Sequence, residues 1–223
     1  MGVAAAINLT TGALFASGIY FIPVFLQQVA DVSATTSGLL LAPFMFTTAF
    51  TTLVAGRRDE RSGRYRIWPI LGSVIATVGV VLLSQVGLAT PAWVAAAFGA
   101  VLGTGIGFIM QTSLLALQNG VEYRDLGVAT STALLSRTLG VTLGAALCSA
   151  VLQTGLPASG IADSAVYADA IPAVYLAGIP IALLTIVLAL RLPEHRLRER
   201  SHFDAEARHD VVALQSAAET GLV

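Results

Sequence analysis

Long apolar stretches separated by short polar links dominate the chain. Six stretches stand out, at about residues 6–28, 37–56, 67–88, 92–118, 126–152 and 171–192. A helix of about 20 mostly apolar residues crosses a hydrocarbon core of about 30 Å and satisfies its own backbone hydrogen bonds where water is absent. The pattern therefore predicts an all-α fold, an integral membrane six-helix bundle over residues 1–193 with a charged tail over 194–223. An even number of crossings puts both ends of the chain on the same side.

Composition removes the soluble alternative. Of the 223 residues 56% are hydrophobic and 11% charged, and the mean hydropathy is +0.80; a soluble domain is about a quarter charged. The net charge of −1 hides a strong segregation. Arg57, Arg58, Arg61, Arg64 and Arg66 fill the second link, Arg124 the fourth, and Arg191, Arg196, Arg198, Arg200 and Arg208 the C-terminal flank and tail. The first, third and fifth links carry only acids, Asp31, Asp163 and Asp169. Arginine-rich short links stay in the cytoplasm, which predicts a multi-pass protein of the cell membrane with both termini cytoplasmic. No base precedes Arg57, so a cleaved leader is not expected, and nothing in the charge pattern calls for a nucleic-acid partner.

Catalytic chemistry finds no footing. Every histidine lies in the tail, and His195, His202 and His209 recur every seven residues, about 10.5 Å apart along a helix, too far to share one metal ion. The chain has no lysine, hence no P-loop, and GTGIGF lies within an apolar run with no strand before it. Neither catalytic residue, metal nor cofactor is expected, and Cys148 reads as a small packing residue.

One ionisable group interrupts the apolar stretches. Arg137 falls about 11 residues into the fifth, near mid-membrane, with Thr130, Ala133, Gly140 and Gly144 one and two turns away on its own side. All 13 acids lie outside the stretches, so Arg137 needs amide or carbonyl acceptors, or a group from another chain. Gln111, Gln118 and Asn119 are the nearby amides. A packing role for Arg137 and a substrate role both remain open. In the fourth stretch Gly99, Gly103 and Gly107 stack at four-residue spacing and Gln111 continues their row, either as an interhelical contact or as the edge of a polar cavity. Thr47, Thr48, Thr51 and Thr52 make one side of the second stretch polar.

Three segments resemble the major facilitator superfamily. GRRDERSGRY at 56–65 is similar to its loop signature, with Gly56 opening it, Glu60 at the usual aspartate position, Arg61 at the basic position, Gly63 as second glycine and Arg64 as the next base. Tyr65 departs from the pattern. YFIPVFLQQVADVSATTSGLLLAPF and DLGVATSTALLSRTLGVTLGAAL resemble the C-terminal six-helix bundle of the fourteen-helix drug:proton antiporter branch. The resemblance implies half of a secondary transporter, exporting small apolar or cationic compounds against protons, with Arg137, Gln111, Gln27 and Gln28 facing or bordering a central cavity. It also implies a partner in the bilayer, either an N-terminal half or a second copy of the chain. A non-transporting membrane or assembly protein is the alternative.

Overall fold

The computed structural model describes residues 2–62, 67–119, 121, 123–157 and 163–192. Six α-helices follow one another: α1 (Gly2–Gln28), α2 (Ala34–Ser62), α3 (Ile67–Leu83), α4 (Ala92–Asn119), α5 (Leu126–Gly155) and α6 (Ser164–Leu190), with a short 3-10 turn at Tyr123–Asp125 before α5. The all-α expectation holds. Five of the helices are long and apolar enough to cross a membrane.

Helix α3 is the exception. It stops at Leu83, five residues short of the expected 88, and its 17 residues extend about 25 Å. The Ser84 hydroxyl bonds back to the Val81 carbonyl at 2.7 Å, and the Gly87 N–H donates to Thr90 Oγ1 at 2.9 Å. These polar local bonds close a turn and end the helix. Two other boundaries also move. Helix α2 runs on to Ser62, because arginine and glutamate are good helix formers and carry it past the apolar region; Gly56, Glu60 and Arg61 therefore lie on helix and not in a loop. Helix α6 begins at Ser164, seven residues before 171, which brings Asp169 into its second turn, exposed. The tail 194–223 and the positions of Gly63 and Arg64 lie outside the described residues.

Successive helices alternate in direction, so Arg57, Arg124 and Arg191 come to one end of the bundle and Asp31 and Asp163 to the other, all five exposed. Helix α1 is the innermost element. Ile7, Leu14, Ile22, Phe25 and Leu26 are buried with Leu102, Ile106 and Ile109 of α4, Val80 and Leu83 of α3, and Ile171, Val174 and Tyr175 of α6.

Between lipid-soluble helices apolar surface gives no net drive to associate, so close contact must come from van der Waals packing and interhelical hydrogen bonds. Small residues supply the closeness. Gly12 lies against the Arg137 carbonyl, Gly140 against the Leu9 carbonyl, and a Cβ added at Gly144 would stand 2.5 Å from Ala13 Cα. On the other side, Gly103 and Gly107 back onto the carbonyls of Phe44 and Thr48 in α2. There Thr47 Oγ1 donates to the Ala100 carbonyl at 3.0 Å and Thr52 Oγ1 to the Gly107 carbonyl at 3.3 Å. Gly72 and Gly105 meet where α3 crosses α4.

Gly144→Leu is expected to force α1 and α5 apart at a cost of about 1–3 kcal/mol, read as a lower melting temperature in detergent. Gly127→Ala, where a Cβ meets nothing within 4 Å, should leave that temperature unchanged.

Candidate functional site

The polar groups inside the bundle are mostly neutral amides and hydroxyls, held where helices cross. Gln111 ends the row Gly99, Gly103, Gly107, and that row faces α2. A Cβ added at Gly56 would stand 3.2 Å from Gln111 Nε2. The structure thus brings together two residues singled out for separate reasons, the glycine opening the loop signature and the amide ending the glycine row. Gln118 Nε2 donates to Thr130 Oγ1 at 3.1 Å, and that hydroxyl donates to the Leu126 carbonyl at 2.9 Å. This tie joins the end of α4 to the start of α5. At the opposite end Gln27 Nε2 donates to Ser37 Oγ at 3.0 Å, joining α1 to α2, and Gln28 is exposed beside it. Asn119 is the last residue of α4; its side chain, like those of Glu60 and Arg61, lies outside the described set.

Arg137 is half-buried on α5 and makes no hydrogen bond or ion pair among the described residues. Contacts of Leu9 with Gly140 and of Ala13 with Gly144 run α1 and α5 parallel and in step. Arg137 is therefore nearly level with Asn8, within about 3 Å at 1.5 Å per residue. Asn8 sits in the buried contact between α1 and α4. Its Nδ2 donates to the Ala4 carbonyl at 3.0 Å, and its Oδ1 accepts from Ser113 Oγ at 3.3 Å. Gln111 is two residues from Ser113 on α4, so one cation, two amides and a hydroxyl share a layer across three helices. Arg137 is the one cationic side chain of this layer.

Asn8 and Ser113 escape a reading for charged residues alone; the signal was an amide within the otherwise apolar AAINLTTG. Tyr20 also escapes it. This side chain is 51% exposed on the most enclosed helix, and its spacing of seven residues from Gln27 was the available clue. Tyr175, by contrast, is buried with its hydroxyl 3.5 Å from the Ser17 carbonyl. Among the described residues no group of three or more His, Cys, Asp or Glu side chains gathers. The polar interior is equipped to bind and orient, with neither a nucleophile–base pair nor a metal-ligand cluster among those residues.

Six helices with α1 at the centre and glycine crossings on both sides form the fold of one bundle of a two-bundle transporter. The bundle superposes on the inward-open xylose transporter XylE of E. coli with a TM-score of 0.65, covering 97% of this chain and 54% of that one at 17% identity. The chain belongs to the Major Facilitator Superfamily, whose sequence profile matches residues 4–220; members of this family are multi-pass membrane transporters. An uncharacterized MFS-type transporter of Mycobacterium tuberculosis is 29% identical over 92% of this chain and 34% of its own length. The multidrug transporter protein MdtP of Bacillus subtilis is 34% identical over 70% of this chain and 28% of its own. A tetracycline resistance determinant of Streptomyces rimosus is 28% identical over 68% of this chain and 44% of its own. The chain thus spans about a third of the length of the first two.

A double-mutant cycle on Asn8→Ala and Ser113→Ala should give a small coupling energy, about 0.6 kcal/mol and below about 1.7 kcal/mol, by unfolding in mixed micelles. A coupling of zero would show that the two side chains do not cooperate.

Proposed function

We propose that this chain is the C-terminal six-helix half of a proton-coupled multidrug exporter, completed in the membrane by an N-terminal half. The observation that carries the reading is the uncovered pair α2 and α5. Only 22% and 17% of their apolar spans are buried within the chain, against 67% for α1. On α5, Ser131, Thr138, Thr142 and Ser149 are exposed at spacings of seven, four and seven residues, on the side opposite Gly140 and Gly144. Thr138 and Thr142 donate to the Leu134 and Thr138 carbonyls of their own helix, and a row of small polar residues suits a helix–helix seam better than a lipid-facing surface. On α2, exposed Phe46 and Phe50 stack with ring centroids 6.0 Å apart.

The arginines at one end support a cytoplasmic placement of both termini. Among the described residues no acid lies beside Arg137, so carboxylates that take up and release protons would come from the completing half. Relatives named for multidrug transport and tetracycline resistance support small-molecule drugs as substrates. Gln111, Gln118, Asn119, Gln27, Gln28 and Arg137 are the residues we propose to line or border the path, and Gly56, Glu60, Arg61, Gly63 and Arg64 to form the cytoplasmic signature motif. A second copy of the chain is the other occupant with a matching surface, since α2 and α5 are both uncovered.

The purified chain in liposomes under a pH gradient is expected to show no drug export, and export should appear when the N-terminal half is supplied. Unaided export by a chain that native mass spectrometry shows to be monomeric would sink the proposal; unaided export by a dimer would transfer it to the second copy. The double substitution Thr138→Trp and Thr142→Trp should leave the melting temperature of the chain within about 2 °C while abolishing co-purification with the completing half.

A further inference from the structure

Tyr20 is 51% exposed, and its hydroxyl makes no hydrogen bond among the described residues. Its neighbours on α1 are enclosed: Phe21 is 3% exposed, Ile22 1% and Ala16 0%. Tyr20 lies beyond the close α1–α5 contacts at Leu9, Gly12 and Ala13. Helix α5 lies on α1 along the row Leu9, Ala13, then turns to α6, where Gly155 packs on Ala170. Ala16 is the last residue of that row under cover. Tyr20 follows one turn on, and Gln27 two turns further along the same face.

The depth of this position matters. Tyr20 stands eight residues inside the end of α1 at Gln28, about 12 Å from that end. Tyrosines that face lipid sit at the interface, where the hydroxyl meets water, and an unpaired hydroxyl in hydrocarbon costs several kcal/mol. The Tyr20 hydroxyl has no hydrogen bond among the described residues. Tyr175 shows the ordinary solution for a tyrosine at depth, complete burial with the hydroxyl turned to a main-chain carbonyl. Tyr20 instead presents a half-exposed ring and a hydroxyl with no hydrogen bond among the described residues.

Resting on the exporter reading above, we propose that Tyr20 is a specificity-determining residue that contacts substrate, selecting compounds with a flat ring system that stacks on the phenol and an acceptor that takes its proton in a hydrogen bond. Gln27 offers a second polar contact on the same face. The ring supplies the larger share of the discrimination, because stacking is lost altogether when the aromatic face is removed, whereas water replaces a lost hydroxyl contact.

The test uses the chain together with its completing half in vesicles, and two probes of equal charge, ethidium with a flat fused ring and tetrabutylammonium with none. Tyr20→Leu should lower ethidium export about five- to tenfold and leave tetrabutylammonium within about twofold. Tyr20→Phe, which keeps the ring, should hold ethidium export within about threefold. An equal loss for both probes would make Tyr20 an assembly contact with the completing half and overturn the proposal, as would no loss for either. If the unsubstituted protein exports neither probe, the exporter reading itself fails and takes this inference with it; if it exports both and Tyr20→Leu does not distinguish them, only this inference falls.

Discussion

Backbone-to-backbone contact at glycine holds this bundle together. Inside lipid an apolar helix gains nothing from trading lipid neighbours for protein neighbours unless the fit is closer, and Gly12, Gly140, Gly144, Gly103, Gly107, Gly72 and Gly105 make that fit possible. The layout of the interior follows from where those contacts fall. They fix α1 in the centre, hold α4 between α2 and α3, and set the level near which Asn8, Ser113, Gln111 and Arg137 lie. Polar side chains then add ties at crossings already made: Thr47 and Thr52 across to α4, Gln118 to Thr130, Gln27 to Ser37.

Most of this architecture was legible in the sequence, because membrane helices announce themselves by length and apolarity and the four-residue spacing of Gly99, Gly103 and Gly107 marks a close packing face. Helix ends were less legible. Apolarity marks where lipid stops, while a helix continues into water as far as its local hydrogen bonds allow: hence α2 runs on through Arg57 to Ser62, α6 starts early at Ser164, and α3 stops at Leu83 where Ser84 and Gly87 turn the chain.

The interior chemistry was legible only in part, for a different reason. Charge in an apolar stretch is conspicuous, so Arg137 draws notice. A single amide such as Asn8 is not, and its significance depends on Ser113, more than a hundred residues away, which only the folded chain brings within 3.3 Å. Tyr20 illustrates the opposite limit. Its residue type fits a buried core as well as an exposed face, and what decides is its 51% exposure in the folded chain, a fact of tertiary geometry that hydropathy does not record.

The two glycine crossings are counterparts. Helix α1 runs parallel to α5 and α2 runs parallel to α4, so turning the first three helices over onto the last three exchanges one crossing for the other, the internal inverted repeat of such bundles. The match is one of geometry and not of bonding. Threonine hydroxyls pin α2 to α4 in two places, whereas among the described residues α5 rests on α1 through bare backbone contact. Resistance to sliding is therefore unequal across the pseudo-symmetry axis: one arm of the bundle is latched and the other is a plain bearing.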